Sequence, residues 1–191
     1  MKNYIISLSM IIFFVACSNQ KKTDQTKLKT TEENEVFFPV TEYLKGQIEE
    51  IKEKGVTPLS YMIKGKKIDS SWLNMNHLEA SFSDFLLPEI DSIKLHRFFS
   101  VKKFYDQTLD EITLVYEAKN DIPDHVKWLS WNIYINPEEG TVDRIYLVKK
   151  LSQKETSQLT WVPYKYCKLV NIYDDGDTAF VVSESKIKWD Y

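Results

Sequence analysis

The sequence predicts an α+β fold: an antiparallel β-meander of about five to seven strands, packed by two early helices. Two observations carry this reading. Apolar residues recur at helical spacing near the start of the domain, and they alternate with polar ones toward its end, with glycine and proline punctuating both regions. Helices gathered ahead of strands, instead of alternating with them, place the helices on one face of an antiparallel sheet.

The first helix follows Pro39, a residue suited to a first helical turn. Val40, Leu44, Ile48 and Ile51 come next at spacings of four, four and three, and Gly55 ends the run. Leu59 to Leu73 reads as extended chain, with a turn at Gly65-Lys66. A second helix is expected from Asn76, which has capping-box spacing to Glu79. It continues through Leu78, Phe82, Phe85 and Leu86 until Pro88 blocks it.

Strand signals dominate after residue 97. Ile112, Leu114 and Tyr116 alternate with Thr113, Val115 and Glu117, and this run breaks between Asn120 and Pro123. Trp128 to Asn136 and Thr141 to Leu151 form the clearest hairpin, joined by Pro137-Glu138-Glu139-Gly140. If Asn136 faces Thr141, then Ile135 pairs with Val142, Ile133 with Arg144, Trp131 with Tyr146 and Leu129 with Val148. Two further strands, near Gln158–Tyr173 and Thr178–Asp190, flank the turn Asp174-Asp175-Gly176-Asp177.

Composition sets the outer bounds. The chain has 191 residues, 43% hydrophobic and 14% aromatic, with only 5 Gly and 6 Pro, which excludes collagen-like, low-complexity and wholly disordered classes. Its formal charge is −3 and no long basic block is present, so nothing points to nucleic acid as a partner.

The amino terminus has its own pattern. Lys2 supplies a positive start, and Ile5 to Ala16 is an apolar run too short for a bilayer core, which needs about 20 residues as helix. It closes on Phe14-Val15-Ala16-Cys17, followed by Ser18-Asn19-Gln20. This segment resembles the lipobox of bacterial lipoprotein precursors, although Phe14 stands where that family most often has leucine. The resemblance covers only about twenty residues. It implies cleavage after Ala16, a diacylglyceryl group on the Cys17 sulfur and acylation of the new amino terminus. Residues 1–16 would then be a signal peptide, and the protein a membrane-anchored resident of the cell envelope. Ser18, where an inner-membrane retention signal often has Asp, leans toward the outer membrane. An ordinary secretory signal with Cys17 left as a thiol is the alternative.

Residues 17–35 would form a tether. Ser18 to Glu35 holds Lys21, Lys22, Lys27 and Lys29 against Asp24, Glu32, Glu33 and Glu35, with Leu28 as its one large apolar residue. Such a stretch buries too little surface to offset its conformational entropy. Residues 36–191 read as one globular domain. With Cys17 lipidated, Cys167 has no intramolecular disulfide partner, and its neighbours Tyr164, Tyr166, Leu169 and Val170 mark it as a small core residue.

Catalytic and cofactor signatures are sparse. His77, His96 and His125 lack the spacing of a shared metal site, and there is no P-loop, dinucleotide fingerprint or nucleophile elbow, so no cofactor and no metal are expected. Asp124-His125 reads as a solvated loop, and Glu79, Asp84, Glu89 and Asp91 as an exposed helical face. The Asp174–Asp177 run has only the opening of a calcium loop. The aromatic load is the unusual feature, at 5 Trp, 11 Tyr and 10 Phe. Trp128, Tyr134, Trp161, Tyr164 and Tyr166 are the candidate ligand-binding aromatics, offering stacking surface if the strands turn some of them away from the core.

The resulting expectation is a non-enzymatic lipoprotein that meets the membrane through its anchor and binds a partner protein or envelope ligand. The alternatives are an envelope hydrolase using a carboxylate with His125 or His96, and a structural envelope component. In outline the domain is similar to cystatin-like α+β domains, with a closed lipocalin-like barrel as the alternative architecture.

Overall fold

Helical spacing in the first segment produces a helix with one buried stripe. α1 (Val40–Glu53) begins after Pro39 and buries Val40, Thr41, Leu44, Ile48 and Ile51. Gly55 follows the helix at φ +65°, a conformation that glycine adopts without steric cost. The computed structural model describes residues 37–190 apart from 91 and 121. The signal segment, Cys17 and the tether expected over residues 1–35 lie outside the described residues.

The second predicted helix is broken. A 3₁₀ turn at Met75–His77 leads into α2 (Leu78–Ser81) and then α3 (Ser83–Leu86). Phe82 departs from helical geometry between the two pieces, at φ −104° and ψ 10°. The N-cap is Asn74, not Asn76: its side chain accepts the Asn76 N–H at 2.9 Å. The inward residues are those the spacing indicates, since Leu78, Phe82, Phe85 and Leu86 are all buried. A further short helix, α4 (Ser92–Leu95), and a 3₁₀ turn at His96–Phe98 lead into the sheet.

Among the described residues the sheet has nine strands, more than the sequence indicates. They are β1 (Leu59–Lys64), β2 (Lys67–Trp72), β3 (Phe99–Asp106), β4 (Glu111–Ala118), β5 (Trp128–Ile135), β6 (Val142–Lys150), β7 (Glu155–Val162), β8 (Tyr166–Asp174) and β9 (Ala179–Lys188). Their spatial order is β2-β1-β9-β8-β7-β6-β5-β4-β3, and every neighbouring pair is antiparallel. β3 to β9 form a continuous meander, and the β1–β2 hairpin adds to its β9 side. Among the described residues no pairing joins β2 to β3, so the sheet is open and the lipocalin-like barrel does not form.

The β5–β6 register departs from the simple hairpin expectation. Ile135 pairs with Val142 as anticipated, but Tyr134 then pairs with Arg144, leaving Asp143 as an extra residue. That bulge turns Ile145, Leu147 and Lys149 toward the helices in place of Arg144, Tyr146 and Val148, because a one-residue shift exchanges the faces of a strand. A second irregularity leaves Leu129 between the pairs Trp128–Lys149 and Ser130–Val148. Trp128 and Trp131 both point inward as a result, and both are fully buried.

Aromatic rings fill the space between helices and sheet. Trp131 stacks on Tyr116 at 5.0 Å, and Phe37 meets both rings edge-on. Trp161 takes the edges of Phe82 at 5.2 Å and Phe85 at 5.5 Å. The opposite face of the sheet is half-buried to exposed over most of its area and carries Tyr134, Arg144, Tyr146, Tyr166, Lys168 and Lys186.

Candidate functional site

A cleft of about 560 Å³ opens where the segment after α3, the 3₁₀ turn at residues 96–98 and the β4–β5 connection meet. Ligand pockets commonly enclose about 300–1,000 Å³. Trp128 is at its floor, and the indole N–H donates to the Pro88 carbonyl at 2.8 Å. Beside it, the Lys149 ammonium donates to the carbonyls of Asp84 at 2.8 Å and Leu87 at 3.3 Å. From α1, the Thr41 hydroxyl oxygen accepts the buried Ile90 N–H at 2.8 Å. These ties hold residues 84–90 in place and turn the Leu87 side chain outward, where it is 57% exposed.

The facing wall is secured by β-strand ends. Lys119 donates its backbone N–H to the Phe98 carbonyl at 2.9 Å, and its ammonium to the Arg97 carbonyl at 3.2 Å. Val126 closes a turn onto the Pro123 carbonyl at 2.8 Å. Leu87, Pro88, Leu95, Phe98 and Val126 thus surround the opening above Trp128 with apolar surface. Glu89, Lys94, Arg97 and His125 are the charged and titratable residues on its lining among the described residues. Glu89 is engaged by Lys45 at 2.9 Å, whereas the Arg97 guanidinium lies 4.5 Å from the Phe98 ring centre.

Lys149 is 5% exposed, and burial pulls its pKa below the ordinary lysine range, with Asp84 acting in the opposite direction. The unfolded chain therefore binds more protons than the folded one between the lowered value and the unperturbed one. This group's contribution to stability is present above the unperturbed pKa and is lost as pH falls through the lowered one. Lys149→Ala strands two carbonyls and is expected to cost about 2–3 kcal/mol, read as a lower denaturant midpoint at unchanged slope. A variant as stable as the parent would mean that water replaces the ammonium.

The five aromatics singled out in the sequence do not form one site. Trp128 lies under the cleft and Trp161 in the core, each with no exposed surface. Tyr134 and Tyr166 are on the open sheet face, covered by Arg144 at 4.0 Å and Lys186 at 4.1 Å. Tyr164 is exposed in the β7–β8 turn at φ +62°. There it borders a smaller hollow of about 220 Å³ beside Lys54.

His125 is exposed at the cleft mouth, and His96 is exposed with its ring 6.2 Å from that of Phe37. Among the described residues neither imidazole hydrogen-bonds to a carboxylate. The Asp174–Asp177 segment is a turn closed on itself. The Asp174 carboxylate accepts the Gly176 N–H and that of Asp175 accepts the Thr178 N–H, a bond that holds the Asp175 pKa below the usual carboxylate range. Cys167 is buried, and burial pushes its thiol pKa well above the ordinary value, so it lacks the thiolate character of a nucleophile. Among the described residues no group of three or more His, Cys, Asp or Glu is placed to hold a metal ion, and no helix is long and apolar enough to cross a membrane.

Leu87, Arg97, Phe98 and Val126 are cleft residues that the sequence reading did not single out. They come from connections distant in the chain and share no local motif. Comparison with protein-family models, with curated proteins and with solved structures finds no match to this chain.

Proposed function

We propose that this chain is a lipid-anchored protein of the bacterial cell envelope, held at the outer membrane through Cys17, and that its domain is a non-enzymatic binding module. The lipobox-like segment ending at Cys17 and the charged stretch after it support the anchor. The observation that carries the binding role is the cleft, an apolar opening above Trp128 whose walls are tied by side-chain and backbone hydrogen bonds. Ligand recognition by this reading belongs to the cleft and not to the aromatic sheet face, where Tyr134 and Tyr166 are already covered by cationic partners.

The test is saturable binding of Nile red, a neutral apolar dye, by the full chain carrying Cys17→Ser so that no acyl anchor competes. Leu87→Asp places a charge on an exposed cleft residue and is expected to weaken binding at least about tenfold, a difference near 1.4 kcal/mol, with little change in melting temperature. Tyr164→Ala, at the separate small hollow, should leave binding unchanged. Dye binding indifferent to Leu87→Asp would count against the cleft as the site.

A further inference from the structure

The cleft has the two-part chemistry of a receptor for an anionic amphiphile. Its wall is apolar, formed by Leu87, Pro88, Leu95, Phe98 and Val126 over the Trp128 floor. Among the described residues its lining carries the cation Arg97 beside Lys94, His125 and the acid Glu89. Two described acids of the neighbouring segment already have cationic partners within the protein. Glu89 is 2.9 Å from Lys45, and the Asp84 carboxylate is 3.5 Å from Lys149. Asp124, next to His125, is exposed and has no ion pair among the described residues.

Arg97 is the group placed to read a headgroup. It is exposed, and no carboxylate lies within ion-pair distance of it among the described residues. Its guanidinium rests on the ring of Phe98, itself a cleft residue, so one edge of the apolar wall bears a charge with five donors. The Lys119 ammonium bonds to the Arg97 carbonyl at 3.2 Å, which fixes the backbone that presents this side chain and adds a second cation at the same turn. A guanidinium fork matches the two oxygens of a carboxylate, whereas a neutral hydroxyl accepts only a single N–H and gains no ion-pair attraction.

We propose that the cleft binds a monoacyl carboxylate, with the hydrocarbon chain along Leu87, Phe98 and Val126 and the carboxylate at Arg97. This inference rests on the reading of the cleft as a ligand site and adds the chemical class of the ligand. Charge complementarity at the mouth favours an anion over a neutral or cationic amphiphile of equal chain length. The apolar lining favours an acylated anion over a small polar one.

The experiment displaces Nile red from the full Cys17→Ser chain with decanoate, decanol and decyltrimethylammonium. Decanoate and decyltrimethylammonium are held below their micelle-forming concentrations and decanol below its solubility limit, and only the dye signal that Leu87→Asp removes is scored. Decanoate is expected to displace the dye at least about tenfold more effectively than decanol, with decyltrimethylammonium weakest, and the gap should shrink as salt is raised. Arg97→Gln should reduce decanoate to the level of decanol while leaving decanol unchanged, a change that loss of folding would not produce. Equal displacement by all three ligands, preference for the ammonium, or indifference to Arg97→Gln would overturn the carboxylate assignment while leaving the cleft as an apolar site. Failure of Nile red itself to bind would instead remove the underlying reading, and this inference with it.

Discussion

Trp161→Ala is expected to destabilise the domain by about 3–5 kcal/mol and to lower the melting temperature by roughly 6–20 °C. Trp161 has no exposed surface and joins the sheet to the helical layer, with the ring centres of Phe82, Phe85 and Trp189 at 5.2, 5.5 and 5.0 Å from its own. Truncation to a methyl removes those contacts and leaves a cavity that α2 and α3, each only four residues long, are poorly able to close. Trp161→Phe separates packing from polarity. The indole N–H has no hydrogen-bond acceptor among the described residues, so replacing it by a phenyl ring also removes an unpaired donor. The phenylalanine variant is expected to retain most of the stability. Equal losses in the two variants would show that indole shape, not buried aromatic area, is what the core requires.

The second large effect concerns location. Cys17→Ser is expected to move the protein from the membrane fraction to the soluble one, if the proposed anchor is the attachment. Each buried methylene contributes about 0.8 kcal/mol, so two or three acyl chains hold a protein far more firmly than one, and none leaves only weak surface attraction. Native material should therefore resist extraction by high salt and carry the mass of a diacylglyceryl adduct on a chain starting at Cys17. A native chain with an unmodified thiol, or one that high salt extracts, would show that the amino terminus acts in another way.

Much of the scaffold was legible because single residues carry strong local physics. Pro39 and Gly55 bracket α1, and Gly65 turns between β1 and β2 at φ +60°. Gly140 likewise ends the β5–β6 turn at φ +68°. The inward helix positions Leu78, Phe82, Phe85 and Leu86 were legible too, even though the helix carrying them is broken. Facing on β6 was harder to read. Both of its alternating sets contain apolar residues, and the inward set ends in Lys149, whose partners are carbonyls some sixty positions earlier in the chain. The bulge at Asp143 decides between the two sets, and nothing local marks it.

The cleft was the least legible part. Trp128 and His125 stood out by residue type, but their shared setting depends on where the segment after α3 lies. That placement follows from Thr41, Trp128 and Lys149 acting together, each from a different element. Separations of 49, 40 and 65 residues have no periodic trace. The exposed hydrophobics show the same difficulty. Leu87 and Phe104 are similar in exposure and type, and only the tertiary fold distinguishes a cleft wall from a strand near the sheet edge.

The hydrogen-bonded fastening of residues 84–90 also bears on kinetics. If the cleft takes a guest as proposed, a wall secured from α1, β5 and β6 is assembled beforehand, so capture spends little entropy on ordering a loop. Association is then governed by encounter and orientation, and differences in lifetime among guests fall on their escape. Loosening the Thr41 tie with Thr41→Val should slow entry without altering the chemistry that the guest meets inside.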